Sequence, residues 1–119
     1  QGMDDALGRA FAYVQAGADG IMIHSRKKSP AEIVEFCDKF REKDKTTPIV
    51  VVPTSFNEIT ENELAQHGVN IVIYANQLTR SAFPAMEETA KDILRHHRAK
   101  EVDDRLMPIK NIITLIDEL

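Results

Sequence analysis

The sequence is poor in cysteine. Its one thiol, Cys37, excludes an internal disulfide framework and leaves no cysteine pair at zinc-ligand spacing. That usage suits a reducing cytoplasm, the expected compartment. No apolar run approaches the roughly 20 residues needed to cross a bilayer, and no secretion signal is visible. Positive charge is not in excess either: the formal net charge is −4, so nothing electrostatic favours nucleic acid or an anionic membrane as partner. A glycine-rich phosphate loop, an acidic cluster suited to a metal and an assembled Ser-His-Asp set are all missing. The chain has no initiator methionine and opens on Gln1-Gly2-Met3. This start is expected to be a cut rather than a natural terminus.

What is present fits one α/β domain at most. The chain has 119 residues, 43% hydrophobic and 29% charged, enough for a modest core and too apolar for disorder. From Asp4 to Gly17, the residues Leu7, Ala10, Phe11 and Val14 recur at helical spacing, with acidic residues in the first turn and Gly17 as a stop. A short apolar run, Gly20 to His24, follows. Ser29-Pro30-Ala31-Glu32 then predicts an N-cap, a proline at the first helical position and a capping-box glutamate. The helix it opens carries Ile33, Phe36, Cys37 and Phe40 on one side, which reads Cys37 as buried packing rather than a reactive thiol.

The pattern repeats. Pro48 to Pro53 is a second apolar run, and Thr60-Glu61-Asn62-Glu63 a second capping box, opening a short helix that stops at Gly68. A third run spans Asn70 to Tyr74. A longer helix is predicted over about Ser81 to Arg98, with Phe83, Met86, Ala90, Ile93 and Leu94 as its stripe; Pro84 fits only if it lies in the first turn. A last helix, about Pro108 to Leu119, is expected to bury Ile109, Ile112, Ile113 and Ile116, with Asp103-Asp104 helping to cap it.

The strands are continuous apolar runs, the pattern of parallel strands covered on both faces. Alternation with amphipathic helices gives the order α-βα-βα-βα-α. A free-standing doubly wound sheet would open on a strand and use about five of them. The expected fold is therefore the C-terminal part of a (β/α)8 barrel, residues 1–119 forming one segment of a single domain whose other strands lie upstream of Gln1. The alternative is a small three-stranded α/β sandwich.

In parallel barrels the functional groups collect at the C-terminal ends of the strands. Here those ends carry His24-Ser25 followed by Arg26-Lys27-Lys28, then Thr54-Ser55, then Asn76-Gln77 with Arg80 beyond. A histidine, hydroxyls and a carboxamide on one rim offer donors to an anionic substrate. Each has a plainer role as well: a hydrogen-bonded core histidine, solvated loop lysines, turn-capping hydroxyls. His67 fits a helix C-terminus, and His96-His97 do not face the same way on a helix, which argues against a metal pair.

Three stretches together carry a resemblance: Ala16-Gly17-Ala18-Asp19-Gly20-Ile21-Met22-Ile23-His24-Ser25-Arg26-Lys27-Lys28, Val50-Val51-Val52-Pro53-Thr54-Ser55 and Val72-Ile73-Tyr74-Ala75-Asn76. In order and spacing they resemble the phosphoenolpyruvate mutase branch of the isocitrate lyase superfamily, through to Leu119. The resemblance implies about strands six to eight of a (β/α)8 TIM barrel and Mg²⁺-dependent interconversion of phosphoenolpyruvate and phosphonopyruvate, the step that opens phosphonate biosynthesis. It implies that His24 contacts substrate, with Thr54, Ser25 and Asn76 as further substrate-binding residues. It also implies that the Mg²⁺ ligands, the phosphate-cradling loop and the gating loop lie upstream of this chain, leaving the segment alone inactive. The resemblance further implies a homodimer or homotetramer in which the Ser81 to Arg98 helix packs on a neighbouring subunit. Phosphonopyruvate hydrolase, a carbon–carbon lyase of the methylisocitrate type and a non-catalytic α/β binding module are the alternatives.

Overall fold

In the computed structural model, which describes residues 2–115, the first apolar stripe becomes helix α1, Met3–Gln15. Ala10 is buried on it, with Leu7, Phe11 and Val14 packed against the same core. Gly17 ends the helix at φ 97°. Its N–H reaches the carbonyl of Val14, and the next N–H, of Ala18, reaches Tyr13. That is a Schellman closure, which needs a residue at ease in the left-handed region. The chain is thereby turned into strand β1, Ile21–Ile23.

Helix α2, Ala31–Lys43, buries Ile33, Phe36, Cys37 and Phe40. The rings of Phe11 and Phe40 stack with centroids 4.9 Å apart, joining α1 to α2. Strand β2, Ile49–Val51, comes next. Helix α3, Glu61–Gln66, opens on the predicted capping box: Thr60 accepts from the Glu63 N–H, and the Glu63 carboxylate accepts from Thr60. It closes at Gly68, φ 81°, with the same pair of bonds as α1, Gly68 N–H to Ala65 and Val69 N–H to Leu64. Strand β3, Ile71–Val72, follows.

The strands form one parallel sheet in the order β1-β2-β3, with Ile21 opposite Ile49, Met22 opposite Val50 and Val50 opposite Ile71. The α/β alternation expected from the sequence is present. Coverage of the sheet is one-sided. Ile21, Ile49 and Val51 are buried, whereas Met22 and Ile71, in the row between, are 60% and 48% exposed. Side chains alternate across a pleated strand, so the described residues cover one face of the sheet and leave the other apolar and open.

Packing divides the chain at Asn76, residues 1–76 forming one unit and residues 77–119 another. In the second, helix α4 spans Gln77–His96. It starts before the predicted Ser81, whose hydroxyl donates back to the Leu78 carbonyl at 2.8 Å instead of capping. Pro84 therefore lies inside the helix, in its third turn rather than its first, and gives no N–H to the residue four before it. Asp103 and Asp104 belong to a short 3-10 helix, Lys100–Arg105, and do not cap the last one.

That last helix, α5, is Ile109–Ile113. The expected run to Leu119 is not met, since the helix closes at Ile113 with Thr114 and Leu115 already beyond it; Ile116 in the expected stripe lies outside the described residues. Ile109, Ile112 and Ile113 are 77%, 56% and 71% exposed, and α4 buries no residue. The expected burial of these stripes is not met. Val102 is the sole core residue among the described positions of this unit, too little surface to cover two amphipathic helices.

Candidate active site

Parallel strands running in one direction bring their C-terminal ends to one edge of the sheet. His24 leaves β1 there, Thr54 and Ser55 follow β2, and Asn76 follows β3. His24 lies two residues beyond Met22, on the open side of the sheet by strand alternation. It is solvent-exposed. Its ring sits 6.3 Å from that of Phe56, tilted by 51°, and Phe56 is fully buried in the loop after β2. The core-histidine alternative is thus not what the chain builds. Beside His24, a recess of about 210 Å³ is lined by Met3, Ala6, Arg9, Glu32 and Phe36 among others.

Ser25 is buried, 7% exposed. Its hydroxyl donates to Glu32 Oε2 at 3.0 Å and accepts the Lys27 N–H at 3.1 Å. The Lys27 ammonium reaches the same carboxylate oxygen at 3.2 Å. Hydrogen bonding from Lys27, then from Ser25, holds the Glu32 carboxyl below its ordinary range. The predicted capping-box role of Glu32 is replaced by this arrangement. Ser29 does accept the Ala31 N–H, at 3.3 Å, but Glu32 turns away to the preceding loop.

After β2 the chain bends sharply at Pro53, the Thr54 N–H bonding to the carbonyl of Val52 at 2.8 Å. Thr54 and Ser55 are half-buried there, as is Asn76 beyond β3. The rim thus holds one imidazole, two hydroxyls and a carboxamide, with Arg26, Lys27 and Lys28 exposed beside them. Such a set donates hydrogen bonds and positive potential to an anion. Among the described residues no three His, Cys, Asp or Glu side chains gather to hold a metal ion. The residues present therefore do not fit a magnesium site.

Sequence reasoning singled out His24, Ser25, Thr54 and Asn76; it passed over Phe56 and read Glu32 as a cap. A carboxylate seven residues after a strand-end serine was the available signal.

The sequence profile of phosphoenolpyruvate phosphomutase matches residues 1–94. The chain belongs to the phosphoenolpyruvate phosphomutase family. It is 38% identical over 115 residues to the phosphoenolpyruvate phosphomutase of Streptomyces viridochromogenes, covering 97% of this chain and 36% of that protein. Among solved structures, the phosphoenolpyruvate phosphomutase of Streptomyces platensis subsp. rosaceus superposes with a TM-score of 0.87 at 33% identity, over 96% of this chain and 39% of that one. A phosphonopyruvate hydrolase in complex with oxalate and Mg²⁺ superposes at 0.84 with 41% identity, over 96% of this chain and 40% of its own. The chain thus spans about two-fifths of the length of the phosphomutase-family proteins it matches. That hydrolase holds Mg²⁺ with oxalate; no cluster suited to the ion lies among the residues described here.

Proposed function

We propose that this chain supplies about the sixth, seventh and eighth βα units of a (β/α)8 barrel whose other units lie upstream of Gln1, and that the whole protein interconverts phosphoenolpyruvate and phosphonopyruvate. The observation that carries the reading is the rim itself. His24, Thr54 and Asn76 follow the C-terminal ends of three adjacent parallel strands, at one edge of a sheet whose open face is apolar. In a closed barrel that face, with Met22, Val50 and Ile71, is the interior, filled by the inward residues of the other strands.

In the proposed reaction a phosphoryl group moves between the oxygen and the carbon of a pyruvate enolate. The P–O bond breaks as the P–C bond forms, or the reverse, with no net gain or loss of a proton. Such loose transfers need positioning and stabilisation of charge on the equatorial oxygens more than covalent help. His24 meets that need by donating a ring N–H to a phosphoryl or carboxylate oxygen. Thr54 and Asn76 add neutral donors, and Ser25 lies within the loop that carries His24. Magnesium, where bound, supplies further neutralisation of substrate charge; its carboxylate ligands are assigned to upstream residues.

The exposed Phe83, Met86 and Leu94 of α4, at 63%, 62% and 73%, support assembly of the whole protein as a homodimer or homotetramer through this helix. A cytoplasmic location accords with the single buried thiol, Cys37.

One observation favours a second reading: the 41% identity to a phosphonopyruvate hydrolase. Phosphorus NMR of the full-length protein incubated with phosphonopyruvate and Mg²⁺ decides between them. The mutase reading expects the phosphonate resonance to be replaced by that of phosphoenolpyruvate. Orthophosphate with pyruvate as the direct products would establish the hydrolase instead, and an unchanged phosphonate resonance would contradict both.

A further inference from the structure

A glutamate in the first turn of a helix ordinarily answers the helix dipole or returns to its own N-cap. Glu32 does neither. A single oxygen, Oε2, receives the Ser25 hydroxyl at 3.0 Å and the Lys27 ammonium at 3.2 Å, while the Lys27 N–H closes onto Ser25 Oγ at 3.1 Å. Both ends of the three-residue turn that follows His24 are thereby fastened to α2. Ser25 is 7% exposed, and its one proton is committed to Glu32.

His24 needs such an anchor. Its ring is exposed, and among the described residues it has a ring contact with Phe56 and no recorded hydrogen bond. Where its ring can reach is set by the position of Cα and the direction of the Cα–Cβ bond, which the anchored loop fixes, together with the rotamer it adopts beside Phe56.

We propose that Glu32 is a positioning residue for His24, acting through Ser25 and Lys27 to hold the loop after β1 so that the imidazole meets the substrate's phosphoryl or carboxylate oxygens. The inference rests on the reading of His24 as a substrate contact. Glu32 does not touch substrate in this account. Its Oε2 is taken up by Ser25 and Lys27, and Arg26 and Lys28 remain exposed beside the rim.

The test uses the full-length protein, phosphonopyruvate as substrate, and the variants Glu32→Gln, Ser25→Ala and His24→Asn, alone and in pairs. Misplacing a contact by about 1 Å costs on the order of tenfold to a hundredfold in rate. Glu32→Gln and Ser25→Ala are each expected to lower kcat by about that factor with KM moved less than about twofold, because the lost contact is one made in the transition state. The thermal midpoint should stay near that of the parent. In the His24→Asn background Glu32→Gln should cost nothing further, since the residue it positions is gone.

Three outcomes overturn the proposal. Full kcat in Glu32→Gln while His24→Asn is impaired leaves His24 a contact and removes Glu32 as its anchor. An undiminished further loss on adding Glu32→Gln to His24→Asn shows that Glu32 acts elsewhere. A His24→Asn protein of unchanged kcat/KM removes the reading underneath, and the proposal with it. If Ser25→Ala fails to fold, Glu32→Gln alone carries the test, its side chain being 44% exposed.

Discussion

The guanidinium of Arg41 holds the carbonyl of Gly68, 27 residues away, with two nitrogens at 2.7 and 3.1 Å. The same group donates to the carbonyls of Asp44 and Thr47 and to Asn70 Oδ1. One side chain on α2 thus secures the entries to β2 and β3, at the end of the sheet opposite the rim. Its planar, forked donors suit several carbonyls at once in a way an ammonium does not.

Gly68 is held on two counts. Its φ of 81° is a left-handed conformation, and a Cβ there would stand 2.6 Å from Arg41 Nε and 2.8 Å from Arg41 Cγ. Gly68→Ala is therefore expected to destabilise the full-length protein by more than the backbone term of about 1–2 kcal/mol. Arg41→Ala, which leaves several part-buried carbonyls without their donor, should cost about 2–4 kcal/mol. Urea unfolding checks both. An Arg41→Ala protein within about 0.5 kcal/mol of the parent would show that water replaces the clasp.

Asp44 adds a pH dependence. Its carboxylate accepts the Thr47 hydroxyl at 2.6 Å and the N–H groups of Thr47 and Thr46. The Thr47 hydroxyl, then these N–H groups, and to a lesser degree Arg41, hold its pKa at about 2 against an ordinary 3.8. A carboxyl depressed in the folded state stabilises above its unfolded pKa, and that contribution is lost as pH falls through the folded value. The thermal-midpoint gap between the parent and Asp44→Asn should be constant above pH 5 or so and narrow between 3.8 and about 2. A gap that does not change with pH would contradict this.

Cys37 is fully buried between α2 and the sheet, and burial pushes its thiol up to about 11. Attack on a disulfide reagent needs the thiolate and access, and Cys37 has neither. Its labelling at neutral pH should be slow, should follow the unfolding rate, and should become rapid in denaturant. Fast labelling of the native protein would show that this part of the core opens.

Much of the first unit was legible in the sequence, because its signals are local. Gly17, Gly68 and the Thr60–Glu63 box act within one helical turn, and the apolar spacing of Ile33, Phe36, Cys37 and Phe40 names its own buried face. The Arg41 clasp was not legible, since it joins residues 27 apart whose partners are backbone carbonyls. Glu32 was misread for a related reason: its pattern fits a capping box, and the loop that draws it away is defined only once β1 and α2 meet. In the second unit the apolar spacing marked helices where α4 and α5 lie, but periodicity shows which side is apolar without saying what covers it. Ser81 and Pro84 misled because both favour helix starts, and the helix had already begun at Gln77. Of the rim, the sequence placed His24, Thr54 and Asn76 at successive strand ends, while the neighbour of His24, Phe56, sits in a loop with no period to mark it.

The central claim is that His24 contacts the reacting substrate. The most direct test is kcat/KM of the full-length protein and its His24→Asn variant for phosphonopyruvate, with thermal midpoints measured alongside. Removing one well-placed donor to a developing charge costs on the order of a hundredfold to a thousandfold. The account predicts a loss of that size with an unchanged midpoint. A His24→Asn protein within about threefold of the parent, well short of the loss expected for such a donor, would contradict it.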